Sequence, residues 1–146
     1  MKLPRLVLDQ KKLDTAMHKI ANRILAEIRQ NTRRGVDSDG NQFQRYSEPY
    51  LKYKTRYMAK GKQSVQKAGV SSATVNLILT GKMMDSISVS KFGTAYHIYF
   101  IDKDRALIAY YHHTGKKQPK RAFFGVSASR EKAIYEEYMK DVARFA

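Results

Sequence analysis

The 146-residue chain contains no cysteine and no tryptophan, and its 28 lysines and arginines against 13 acidic residues leave a net charge of +15. A 42% hydrophobic content at this length is enough for one core, so a single domain over 1–146 is expected. The missing thiols exclude disulfides and cysteine-ligated metal. No apolar run approaches the ~20 residues that span a bilayer. Leu6-Val7-Leu8 is too short for the roughly 7–15 apolar residues of an export signal, which predicts a soluble protein that is not exported.

Asp9 is placed to cap a first helix over 9–34. Leu13, Met17, Ile20, Ile24 and Ile28 form its apolar stripe, Lys12, Lys19, Arg23 and Arg29 the opposite face, and Gly35 its stop. The stretch from Gly35 to Phe43 is crowded with turn formers, and Asp39-Gly40 is the strongest turn signal in it. Ser47 and Pro49 open a second helix to about Lys60, where Tyr50, Tyr53, Tyr57 and Met58 alternate with Lys52, Lys54 and Arg56. Residues 61–73 show no periodicity and are expected to form a long mobile loop that orders on assembly.

Thr80 should cap one helical turn through Asp85. Ile87 and Val89, alternating with serines, and the run from Tyr96 to Ile101 then predict an antiparallel hairpin linked through Phe92 to Ala95. Asp102 and Asp104 look like a turn between strands. The segment from Arg105 to His113 fits a third strand or a short helix, so 86–113 is taken as the sheet region. Ser127 caps a last helix over 127–144 with Ile134, Tyr138, Val142 and Phe145 on one stripe. The fold class is α+β, with a small antiparallel sheet packed by a long N-terminal helix and a C-terminal helix.

Residues for chemistry are scarce. His112 and His113 are adjacent, which is not the i, i+4 spacing of a metal-binding helix, and His18 and His97 are isolated. Asp102 and Asp104 have no third acid nearby, and no phosphate-cradling glycine loop or nucleophile elbow occurs. The expectation is a non-enzymatic protein with no catalytic residues, no cofactor and no metal. Its positive charge nonetheless calls for an anionic neighbour. The charge concentrates in residues 1–34 and again in 114–130, which holds Lys116, Lys117, Lys120, Arg121 and Arg130 and no acidic residue.

Three segments in order carry a resemblance: Gly35 to Phe43 with Tyr46, Leu79 to Ile87, and His113-Thr114-Gly115 followed by Pro119 to Ser127. Together they resemble the phage virion morphogenesis family, the tail-completion proteins of tailed bacteriophages, over roughly 35–130. Gly35, Asp39, Gly40, Phe43, Thr80, Gly81, Pro119, Phe123, Gly125 and Ser127 are the structural positions of these motifs. Ala122 stands where the family often has a second proline.

The resemblance implies a structural virion protein in the tail or neck, assembled in the host cytoplasm, that completes the top of the tail and joins it to the head. It also implies a homo-oligomer, a hexameric ring, between the tail tube or terminator protein and the head connector or head-completion protein. Genomic DNA passes nearby, and no membrane is involved. Lys60, Lys62, Lys67, Lys116, Lys117, Lys120 and Arg121 are the residues expected to contact protein or DNA. The alternative reading is a small basic nucleic-acid-binding or RNA-cleaving protein, favoured by the charge and the tyrosines.

Overall fold

The computed structural model describes residues 6–59, 75, 77, 81–140 and 142–145. The order is β1 (Leu6–Leu8), α1 (Gln10–Arg34), α2 (Glu48–Ala59), α3 (Lys82–Asp85), β2 (Ile87–Phe92), β3 (Ala95–Phe100), α4 (Lys103–Thr114), α5 (Ala128–Met139) and β4 (Ala143–Phe145). The expected α+β class holds, with α1 as its axis. The β2–β3 hairpin and α5 both pack against α1, α3 sits against α4 and β2, and α4 packs on β3. The 61–73 loop expected from the sequence lies outside the described residues.

Helix α1 begins and ends where local chemistry dictates. The Asp9 carboxylate accepts the Lys12 N–H at 3.0 Å, and Gly35 closes the helix in the left-handed region at φ 74°, its N–H bonded to the last carbonyls. Arg33 and Arg34 place positive charge at the negative end of the helix dipole. The buried residues are Ala16, Ile20, Ala21, Leu25, Ile28 and Thr32, while Leu13, Met17 and Ile24 only flank them. The expected stripe is thus rotated, because the helix is covered by the hairpin on one side and α5 on the other. Thr32 is tolerated in the interior because its hydroxyl donates to the Ile28 carbonyl at 2.7 Å.

The hairpin turns at Gly93, at φ 62°, and pairs Ile87 with Phe100 and Val89 with Ile98. Those four residues share one face and belong to, or pack against, the core formed by Leu25, Ile28, Phe43, Leu77, Met83, Met84, Ile87, Ala109 and Phe123. Ion pairs fasten the layers at their edges: Arg130 of α5 to Glu27 of α1, and Lys91 of β2 to Asp14 of α1. Arg29, expected on the polar face of α1, instead reaches across to the Ile87 carbonyl at 3.1 Å and fixes the entry to β2.

Four expectations require correction. The segment 103–114 is a helix, so the sheet region stops at Phe100 and does not extend over 86–113. Asp102 is not part of a turn between strands: it caps α4, accepting the N–H groups of Asp104 and Arg105. The short helix α3 has Gly81 at its N-cap, at φ 81°, with no side-chain cap, while Thr80 lies outside the described residues. The last helix ends at Met139 rather than near residue 144. Beyond it Val142 is buried and β4 pairs antiparallel with β1, Leu6 opposite Phe145 and Leu8 opposite Ala143. This pairing joins the two ends of the chain, a long-range contact that no local period announces.

Candidate functional site

Gly115 ends α4 at φ 78°, its N–H bonded to the Tyr111 carbonyl at 3.0 Å. A Cβ there would lie 2.8 Å from the Lys120 Cβ, so the chain can double back only through glycine. The loop that follows lifts Lys116, Lys117 and Lys120 into solvent. Lys117 is held in the left-handed region at φ 64°, with its ammonium 5.1 Å from the centre of the Tyr111 ring.

Arg121 departs from its three lysine neighbours. It is 4% exposed, not at the surface as expected. Its backbone N–H donates to the His112 carbonyl at 2.7 Å, which turns the side chain inward. There Nε donates to the Gln44 carbonyl at 3.0 Å and Nη2 to the Arg45 carbonyl at 3.2 Å. A buried charge of this kind is tolerated only when its donors are met, and here backbone carbonyls rather than a carboxylate meet them.

The guanidinium carbon lies 5.0 Å from the centre of the Tyr46 ring, and Lys54 Nζ lies 5.0 Å from the same centre. Lys54, an ordinary helix lysine by sequence, is fully buried, and that burial pulls its pKa down to about 8. The Tyr46 hydroxyl accepts the Leu77 N–H at 3.0 Å, so one ring links the 35–46 turn, α2 and the loop after α4.

Beside this cluster lies an open cavity of about 280 Å³ lined by Tyr46, Ser47, Tyr50, His112, Gln118, Pro119 and Arg121. His112 contributes a buried Nδ1 with no hydrogen-bond partner among the described residues. Burial first, then the Arg121 charge, lowers its pKa to about 4, so the ring is neutral at physiological pH. His113 is depressed in the same direction, by burial and then by Lys120, and its Nδ1 accepts the Phe124 N–H at 3.3 Å. The two histidines thus differ in what they do, one supporting the loop and one lining the cavity.

The motif positions take up mostly structural places. Asp37 accepts the N–H groups of Asp39 and Asn41, Gly40 turns at φ 86°, and the Phe43 N–H returns to the Gly35 carbonyl at 2.8 Å, which lays Phe43 into the core. Phe123 is 1% exposed in the same core. Gly125 follows at φ 149°, and Ser127 caps α5 by accepting the Arg130 N–H. Pro119 borders the cavity. Lys60, Lys62 and Lys67 lie outside the described residues.

These motifs form one connected unit, with the turn at 35–46 held against the loop at 115–127. A model of the phage virion morphogenesis family matches residues 2–143, almost the whole chain. The chain belongs to the phage virion morphogenesis family. No curated protein and no solved structure matches it. Membership assigns this virion morphogenesis protein a part in building the phage particle, and so contact with other virion components. Among the described residues, no helix is long and apolar enough to cross a membrane.

This virion morphogenesis protein also presents large apolar side chains to solvent. Leu107, Ile108 and Tyr110 of α4 are exposed, as are Tyr50, Leu51 and Tyr53 of α2, with Ile101 at 69% and Phe92 at 54%. Sequence reasoning missed the α4 group because it left that segment's structure open. It also missed the burial of Lys54 and Arg121, for which residue type points the other way.

Proposed function

We propose that this protein is a non-enzymatic structural subunit that completes the top of the tail and joins tail to head, as one protomer of a ring in the neck. Family membership supports a role in virion construction. The observation that carries the reading further is the set of large apolar side chains exposed on α2, α4 and the hairpin end, which a neighbouring protein would cover. In a ring, the contact between neighbours is heterologous, one face of each protomer meeting a different face of the next. Exposed apolar side chains on two helices, α2 and α4, offer two surfaces for such a contact, with a hexamer the order that matches tail symmetry.

The exposed lysines at 116, 117 and 120 then lie on the surface of a joint through which DNA passes. Phosphates are held there without reading of bases. Electron microscopy of particles from an infection lacking this protein is the test. Complete heads and complete tails lying apart are expected, and joined particles would refute the proposal.

A further inference from the structure

We propose that the Tyr46–Arg121 cavity is a docking pocket for a carboxylate side chain carried by an acidic segment of a partner protein. The inference rests on the assembly reading only for the partner being a virion component; the carboxylate chemistry stands on the cavity itself. Arg121 forms no ion pair among the described residues, and its Nη1 has no hydrogen-bond partner there, because Nε and Nη2 hold the Gln44 and Arg45 carbonyls. A buried guanidinium with donors to spare is complementary to a carboxylate, which it binds through parallel N–H···O bonds.

The other lining groups fit the same ligand. His112 lines the cavity as a neutral ring, and its buried, unpartnered Nδ1 leaves a polar group that a small shift of the ring can offer to an incoming oxygen. Ser47 and Gln118 add a hydroxyl and an amide, and among the described residues no acidic side chain lines the cavity to repel an anion. Tyr46, Tyr50 and Pro119 supply apolar walls for the methylenes that carry a carboxylate, and Lys54 near the Tyr46 ring adds positive potential.

Size and depth favour a protein side chain over nucleic acid. A recess of about 280 Å³ with its cation 4% exposed admits a group on a flexible side chain. A phosphodiester flanked by sugars on both sides meets the exposed lysines of the same loop first. The site is thus distinct in chemistry from Lys116, Lys117 and Lys120, which offer charge at the surface without enclosure.

The test is an NMR titration of the full-length protein with acetyl-glutamate methylamide, with acetyl-glutamine methylamide and an eight-residue oligothymidylate as comparison probes. Saturable shifts are expected at the Arg121 Nε–H and the His112 ring, with a dissociation constant of about 1–10 mM for so small a ligand. The glutamine probe should leave those signals unmoved.

Replacing Gln118 by Glu, an isosteric change that puts a carboxylate into the cavity, should weaken the response about tenfold or more without removing any contact of Arg121. Arg121→Met should abolish the response; should it fail to fold, Gln118→Glu carries the test alone. The proposal is overturned if the glutamate probe shifts only exposed lysines, or if Gln118→Glu binds as wild type does. It is equally overturned if the oligothymidylate fills the cavity and the glutamate probe does not. None of these outcomes bears on whether heads and tails join, which the particle micrographs decide separately.

Discussion

Lowering the pH should destabilise the protein through His112, beginning above the range where carboxylates titrate. Its pKa falls from 6.5 to about 4 on folding, so the unfolded chain takes up a proton first as the pH drops. Stability is therefore complete above about pH 6.5 and is lost progressively toward pH 4. Full depression would cost about 2 kcal/mol between pH 7.5 and pH 5 at 1.36 kcal/mol per unit. The ring borders an open cavity, and solvent screening reduces this to about 1 kcal/mol.

Urea unfolding of wild type and His112→Gln at both pH values measures the difference, since the variant keeps a polar group but cannot titrate. His113 is depressed in the same direction and contributes equally to both proteins, so only the difference between them reports His112. Asp14 and Asp102, whose carboxyls are lowered by bonds from Lys91 and from the Arg105 N–H, act at lower pH. A variant that loses as much stability as wild type on acidification would refute the assignment of His112 as a neutral buried ring.

Two further outcomes follow from the same loop. Phe123→Ala, at 1% exposure in the core, should cost about 3–5 kcal/mol in urea unfolding, and a loss under about 1 kcal/mol would place the ring outside the core. Gly115→Ala should lower stability by about 1–2 kcal/mol, seen as a lower melting temperature, because alanine must adopt φ 78° with its Cβ against Lys120.

The elements legible in the sequence are those whose determinants lie within a few residues. Asp9 and Gly35 bracket α1, Ser127 starts α5, and the serine alternation from Ile87 marks β2, because caps and period-two patterns act locally. The sequence does not decide between strand and helix for α4 because its apolar residues do not follow one buried stripe: Ala109 is buried while Leu107, Ile108 and Tyr110 face solvent. An element that keeps apolar residues for another molecule does not show the periodicity of burial. The β1–β4 pairing was missed for a different cause, since three-residue strands at opposite ends of the chain carry no pattern of their own.

The candidate site was half visible. The motif between Gly115 and Ser127, together with Tyr46, marks the right neighbourhood, and charge drew notice to Lys116, Lys117 and Lys120. Arg121 is expected at the surface by its type, and nothing in the sequence sets Lys54 apart from Lys52. What buries Arg121 and Lys54 is Tyr46 and the Gln44 and Arg45 carbonyls, brought from about 75 residues away in the case of Arg121.

The central claim, that this protein joins tails to heads, is tested most directly by complementation outside the cell. Extracts from an infection lacking the protein would be mixed with purified protein and titred for infectious phage. Infectivity should rise only when the protein is added, with heads and tails becoming joined in the same sample. Extracts that are already infectious without it, or that stay uninfectious and unjoined with it, would contradict the claim.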